Sequence, residues 1–222
     1  MTVKVITVGE DILSANEEQS RQNKNLLSAH KVTTVNIMSS PGAGKTSIIM
    51  STINRLKAAL KMAVIEGDVA SSVDAEKIND MGIPVVQINT GGGCHLDANM
   101  VEGALINLPL QDTDLLFIEN VGNLICPNGF TLGEDRRVLI SSMPEGDDKP
   151  LKYPAMFADS DVVVLNKIDL QPHLDFDMEA FKKTVTGLNP DVILFPLSCK
   201  TGEGMEAWFS WLESEVKAKK SK

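Results

Sequence analysis

At 222 residues, with 21 basic and 30 acidic side chains and a formal net charge of -9, the chain is long enough for one compact domain with a full-sized core, and its charge argues against wrapping nucleic acid or anionic lipid. No apolar run approaches the roughly 20 residues that cross a bilayer, no basic region followed by an apolar stretch opens the chain, and three cysteines are the wrong arithmetic for a disulfide framework. The expectation is a cytoplasmic protein with thiols free for metal or redox work, and with neither nucleic acid nor membrane as a partner.

In chain order, a short apolar alternation at Val3 to Val8 precedes a polar, helix-compatible stretch from Glu10 to His30. This predicts a leading helix that packs on the domain or on a partner, so residues 1–30 read as an N-terminal extension and residues 31–222 as the main domain. Strand-like runs follow in "VTTVNIM", "MAVIE", "PVVQIN", "DLLFIE", "DVVVLN" and "VILFPLS". Between them stand the helical patterns "TSIIMSTINRLKAAL", "LDANMVEGALINL", "FKKTVTGL" and "MEAWFSWLESEVKAK". Such alternation predicts an α/β fold with a mostly parallel sheet covered by helices on both faces. The Pro-rich, charged "SSMPEGDDKPLKYP" reads as a long loop of functional type, and the tail "KAKKSK" as frayed. There is no internal repeat and no low-complexity tract.

The first of these strands runs into "SSPGAGKTS", which opens a helix, the context in which backbone N–H groups wrap phosphates. Gly42, Ala43, Gly44, Lys45, Thr46 and Ser47 form the expected cradle: the glycines let the backbone approach, Lys45 brings a charge to the β- and γ-phosphates, and the Thr46 hydroxyl can ligate Mg²⁺. Ser39 stands where the G-x-x-x-x-G-K-[ST] pattern has its first glycine, a departure at one position. These features predict a P-loop NTPase.

Asn166, Lys167 and Asp169 form an N-K-x-D pattern at a strand end. A carboxylate there accepts from the N1–H and 2-amino group of guanine, donors that adenine lacks. Ser198, Cys199 and Lys200 at another strand end resemble the S-A-K loop of GTPases, whose backbone contacts the guanine oxygen; the Cys199 thiol itself reads as a packing group. GTP is therefore favoured over ATP. Glu119 and Gly122 resemble a D-x-x-G segment with Glu for Asp, placing a carboxylate for Mg²⁺ and an N–H that senses the γ-phosphate. Asp68 and Asp74 are further candidates for the metal or the attacking water, and Asp74 could equally be a helix N-cap. Lys45, Asp68 and Glu119 are thus the catalytic candidates, with Thr46, Asp68, Asp74 and Glu119 toward magnesium. Arg136 and Arg137 follow, yet no residue stands out as an arginine finger, so slow intrinsic turnover is expected.

Cys94 and His95 lie behind Gly91, Gly92 and Gly93, in a loop expected to allow close backbone approach, and Cys126 lies just past the phosphate-sensing segment. If the two preceding strands are parallel neighbours, their loops emerge on one edge and the three side chains converge. They offer soft S/N ligands for Zn²⁺ or Ni²⁺, with water or a second copy completing the set. The other reading is two packed thiols and a loop histidine. His30 and His173 read as surface residues.

Together, "SSPGAGKTS", "GGGCHLDA", "ENVGNLICP", "EGDDKPLKYP" and "NKIDL" resemble the HypB family, the hydrogenase nickel-insertion accessory GTPases, over nearly the whole chain from about Lys31. The resemblance implies a dimerising SIMIBI-type GTPase with Cys94, His95 and Cys126 as the ligands of nickel or zinc at the interface of a nucleotide-promoted homodimer. It also implies nickel transfer to the large subunit of a [NiFe] hydrogenase, with a small zinc-containing nickel chaperone of the HypA family as partner, and puts Lys152 within reach of the nucleotide across the dimer. Family members with an additional N-terminal nickel motif carry clustered cysteines or a histidine run there, and this N-terminus has neither, so storage of many ions is not expected. A urease accessory GTPase is a near alternative, although its metal loop is Cys-Pro-His. A cobalamin-enzyme chaperone would not need the Cys-His pair. From other classes come a GTP-dependent switch with a structural metal and a metal buffer with a vestigial nucleotide site.

Overall fold

The computed structural model describes residues 8–221, with side chains described from residue 13; Val3 to Thr7 of the expected apolar alternation lie outside the described residues. Seven strands, all parallel, form one sheet: β1 (Thr33–Ser39), β2 (Met62–Asp68), β3 (Val85–Asn89), β4 (Leu115–Glu119), β5 (Arg136–Ser142), β6 (Val162–Asn166) and β7 (Ile193–Pro196), in the spatial order β3-β2-β4-β1-β5-β6-β7. The helices are α1 (Val8–Ala29), α2 (Lys45–Leu56), α3 (Val73–Asp80), α4 (Ala98–Leu105), α5 (Lys149–Lys152), α6 (Pro154–Ala158), α7 (Met178–Leu188) and α8 (Met205–Lys220).

The two-residue period of a strand explains why the apolar runs are continuous. In β6, Val162 and Val164 pack with Ile48, Ile53 and Trp208 of α2 and α8, whereas Val163 and Leu165 pack with Phe157 and Phe181 of α6 and α7. In β4, Phe117 joins the α2–α8 side, and Leu116 and Ile118 join α1 and α4 on the other. Because both faces are covered, both are largely apolar. Since every strand points the same way, the residues after each strand emerge on a single edge, and this gathers the candidate site.

The leading helix docks on the domain itself. Leu27 is buried beside Leu105 and Leu116, and two buried asparagines tie α1 down: Asn16 Oδ1 accepts from Ala98 N at 2.8 Å, and Asn23 Nδ2 donates to Ala98 O at 2.8 Å and Leu132 O at 3.1 Å.

One strand was not anticipated from the sequence, and two expectations are corrected. The strand beside β1, β5, has a short apolar core, Val138 to Ile140, between an arginine pair and a serine pair, which hides it in sequence. Arg136 pairs with Glu215 at 2.9 Å and Arg137 with Asp159 at 2.6 Å, at the strand's starting end and opposite the phosphate loop, so neither arginine faces the candidate site. The stretch 141–154 is no long loop: it completes β5, makes a 3-10 turn at Met143–Glu145 closed by a Ser142/Glu145 capping box, and continues as α5 and the start of α6. The tail is helical through Lys220 and docked, with Lys219 bonded to Asp135 at 2.7 Å and Lys220 to Asp114 at 2.6 Å. Those acidic partners come from loops distant in sequence, which local composition cannot reveal.

Candidate functional site

The β1–α2 turn is shaped by its glycines. Gly42 and Gly44 hold φ of 77° and 111°, and a Cβ on Gly44 would stand 2.4 Å from Asn166 Nδ2, so glycine is required there for both conformation and space. Ser39 ends β1 outside the left-handed region, which is why serine can replace the first glycine of the pattern. Lys45 Nζ lies 3.4 Å from Ser39 Oγ and 4.0 Å from Glu119 Oε1. Ser40 Oγ also meets Glu145, tying the loop to the turn after β5.

Thr46 Oγ1 stands 3.0 Å from Asp74 Oδ2 and 2.9 Å from Glu119 Oε1. One hydroxyl proton serves only one of these contacts, so the other needs a proton on a carboxyl or a cation between the oxygens. Glu119 Oε2 is buried with no hydrogen-bond partner. The donor set fits a hard divalent cation such as Mg²⁺. Asp74 sits inside α3, with Ser72 at the N-cap, so the N-cap reading is set aside; Lys77 steadies it at 2.7 Å. Asp68 spends Oδ1 on the N–H groups of Ala70 at 2.9 Å and Ser71 at 2.7 Å, bonds that hold its carboxyl below the usual range. Asp68 therefore shapes the turn after β2, while Asp74 approaches Thr46. Thr46, Asp68, Asp74, Lys77 and Glu119 line a cleft of about 500 Å³.

Glu66 was not anticipated. It is 3% exposed, lines the same cleft, and lies in register with Glu119 on one side and Gln87 on the other. The signal was available in "VIEGD", a carboxylate inside an apolar strand. Burial, then the Glu119 charge, pushes its carboxyl up to about 7. Burial likewise pushes Glu119 up to about 7 against the pull of Lys45. Between the ordinary value of 4.5 and about 7 the folded chain holds more protons than the unfolded one, so stability falls as pH rises through that window. The melting temperature of the nucleotide- and metal-free protein should therefore drop by several degrees from about pH 5 to about pH 8. Glu66→Gln and Glu119→Gln should each show less of that loss. Thermal melts across the range check this, and variant profiles parallel to wild type would assign both carboxyls ordinary acidity.

Around a second cleft of about 620 Å³, continuous with the first through Gly42, Gly44 and Ser47, the strand ends β6 and β7 converge. Asn166 Nδ2 donates to Ala43 O at 2.9 Å, and its Oδ1 accepts from Lys167 N at 2.7 Å and Cys199 N at 3.3 Å. Lys167, at φ 63°, donates Nζ to Gly42 O at 2.7 Å. Ser198 Oγ donates to Asp169 Oδ1 at 2.6 Å while accepting from Lys200 N at 3.2 Å. Burial pushes the Cys199 thiol up to about 11, leaving it a neutral packing group. A planar base entering here would meet an oriented carboxylate.

Cys94, His95 and Cys126 also come together, with their ligand atoms all within 4.8 Å of one another and Cys94 Sγ 3.6 Å from His95 Nδ1. The strands that deliver them are not neighbours, because β2 lies between β3 and β4; the common direction of the strands is enough. Gly91 and Gly92 take φ of 59° and 108°, and a Cβ on either would meet nothing within 4 Å, so these two serve the turn and not close approach. Only Gly93 is crowded, since an added Cβ would stand 3.2 Å from Thr90 Cβ. Cys126 and then burial push the Cys94 thiol up, and burial lowers His95 toward the neutral ligand form. Two sulfurs and an imidazole at this separation can share one soft or borderline ion, which would displace thiol protons. The His95 ring rests against Phe130, centroids 4.2 Å apart. His30 and His173 are exposed, as expected. Lys152 is largely exposed and pairs with Asp148 at 2.6 Å.

Among known proteins, the family model described as CobW/HypB/UreG, nucleotide-binding domain, matches residues 33–196. The hydrogenase maturation factor HypB of Escherichia coli strain K12 is 45% identical over 212 residues, spanning 96% of this chain and 73% of the relative. The crystal structure of HypB from Helicobacter pylori in complex with nickel matches with a TM-score of 0.88 at 35% identity, covering 92% of this chain and 96% of that one. The signal recognition particle receptor FtsY of Elizabethkingia anophelis matches at 0.52 and 15% identity over 82% of this chain and 65% of its own, a likeness of fold alone. The P-loop NTPase fold expected from the sequence is the fold found.

Proposed function

Since this chain belongs to the HypB hydrogenase maturation factors of the CobW/HypB/UreG family, we propose that it is a GTPase that couples GTP binding and hydrolysis to nickel delivery during maturation of [NiFe] hydrogenase. The observation that carries this reading is the convergence of Cys94, His95 and Cys126 on loops adjoining the Glu119–Gly122 segment of the phosphate cleft. Lys45 draws charge from the β- and γ-phosphates, and the backbone N–H groups from Gly42 to Ser47 wrap them. Asp169 accepts from guanine, Lys167 covers the base with its alkyl stem, and the Ser198–Lys200 loop contacts the base through its backbone. Thr46, Asp74 and Glu119 would hold a magnesium ion, which when bound would neutralise phosphate charge. Glu119 must be ionised for this, and Asp68 and Glu66 set the field around it. With no arginine directed into the cleft among the described residues, intrinsic turnover is slow.

Nickel is the cargo, with zinc a competing occupant of the same ligands, and a second copy of the chain completes the coordination. The other partners are a small zinc-containing nickel chaperone of the HypA family and the hydrogenase large subunit, with Lys152 reaching across the dimer. The setting is cytoplasmic; no described helix is long and apolar enough to cross a membrane.

The test is nickel titration during light-scattering chromatography on wild type and Cys94→Ala, with GDP and then a non-hydrolysable GTP analogue. The analogue should promote the dimer and change nickel affinity, and Cys94→Ala should abolish that change. Nickel affinity indifferent to both nucleotide and Cys94 would leave only a GTP-dependent switch.

A further inference from the structure

The residues between Glu119 and Cys126 serve both halves of the site, and two asparagines join them. Asn120 is 1% exposed. Its own N–H donates to Ile37 O of β1 at 2.9 Å, and its Nδ2 approaches Asn36 Oδ1 at 3.4 Å. Its Oδ1 accepts from two backbone groups at 3.0 Å each, Val121 N and Leu96 N. Leu96 directly follows His95. The same loop is pressed in place from below, because the Leu96 side chain is fully buried and leaves Gly67 no room for a Cβ, its atoms lying 2.8 Å from that position. Three residues on from Asn120, Asn123 Oδ1 accepts from Ile125 N at 2.8 Å and Cys126 N at 3.4 Å. Between the two asparagines lies Gly122, packed so closely on Pro41 of the phosphate loop that an added Cβ would stand 3.1 Å from it.

A γ-phosphate that pulls on the Gly122 N–H must therefore move a segment whose side chains hold the backbone behind His95 and the backbone of Cys126. We propose that Asn120 and Asn123 are positioning residues that link the phosphate-sensing segment to the Cys94–His95–Cys126 ligand set. The inference rests on the nickel-delivery reading and supplies its coupling device: the thiolate and imidazole donors change spacing when the segment shifts, so metal affinity depends on the nucleotide, and nucleotide affinity depends reciprocally on the metal.

The test measures nickel(II) dissociation constants by competition with a chromophoric chelator, on the full chain holding GDP or a non-hydrolysable GTP analogue. Wild type is compared with Asn120→Ala and Asn123→Ala. Wild type should show a ratio between the two nucleotide states in the range of roughly 5- to 150-fold typical of allosteric coupling. Both variants should bring the ratio toward one, whereas mere loosening of a ligand loop would weaken nickel binding in both nucleotide states and leave the ratio in place; by linkage, the dependence of analogue affinity on nickel shrinks by the same factor. Asn120→Ala removes buried hydrogen bonds and can unfold the chain; Asn123 lies on a more accessible turn, and its variant then decides alone. Folded variants that keep the wild-type ratio overturn this inference and leave nickel delivery standing. A wild-type ratio of one overturns the delivery reading and this inference with it.

Discussion

Asp169→Asn should lower affinity for GTP by on the order of 10²- to 10³-fold and raise affinity for xanthosine triphosphate, because the site would then present a donor where guanine also presents donors. The geometry fixes which way the new amide turns. Ser198 Oγ donates to Asp169 Oδ1 at 2.6 Å and is itself held by Lys200 N and Thr201 N. An asparagine keeping that bond must offer its carbonyl oxygen to Ser198 and its NH₂ to the base. Xanthine carries a carbonyl at C2 and matches; guanine carries an amino group and does not. Equilibrium titration with fluorescent guanosine and xanthosine nucleotides reads the swap directly. Unchanged GTP affinity would remove Asp169 from base recognition, and loss of both nucleotides would mean that the loop, rather than the contact, had been damaged.

Glu119→Gln should cut GTP turnover by on the order of 10²- to 10³-fold while leaving GDP affinity within a few-fold of wild type. The substitution keeps the side-chain volume in a position that is 3% exposed, so no cavity opens; what it removes is the charge facing Lys45 and Thr46 at 4.0 and 2.9 Å. On the proposed reading GDP is held mainly by the backbone N–H groups of the phosphate loop and by the base loop, which this change leaves in place. Single-turnover hydrolysis with a magnesium titration separates the two effects. A Glu119→Gln variant that hydrolyses GTP at the wild-type rate would leave the cation to Asp74, and Asp74→Asn would then carry the loss.

What was legible in the sequence was local. The Gly42–Gly44 turn, the N-K-x-D run and the strands with continuous Val, Ile and Leu each depend on residues within a few positions of one another, and backbone sterics act at that range. The alternation of strand and helix gave the layer order for the same reason, and a resemblance carried by five short motifs gave the family. Strand β5 escaped because only Val138 to Ile140 mark it, and those three need the flanking β1 and β6 to become a strand at all. The tail was misread because Asp114 and Asp135, which hold Lys220 and Lys219, lie far away along the chain.

The choice between Asp68 and Asp74 at Thr46 also depended on the turn after β2, where two backbone N–H groups claim an Asp68 oxygen. Glu66 became part of the site only when β2 paired with β4 and set it beside Glu119. The three metal-type ligands could be named from their chemistry, but their meeting required a parallel sheet in which β3 and β4, one strand apart, deliver their loops to the same edge. The sequence by itself thus determined which chemical groups this protein carries and which short turns present them, since residue type and local φ/ψ preference are encoded in neighbouring residues. Only the tertiary structure decided which groups share a cleft and how they shift one another's acidity, because strand pairing sets those distances and burial sets the local dielectric.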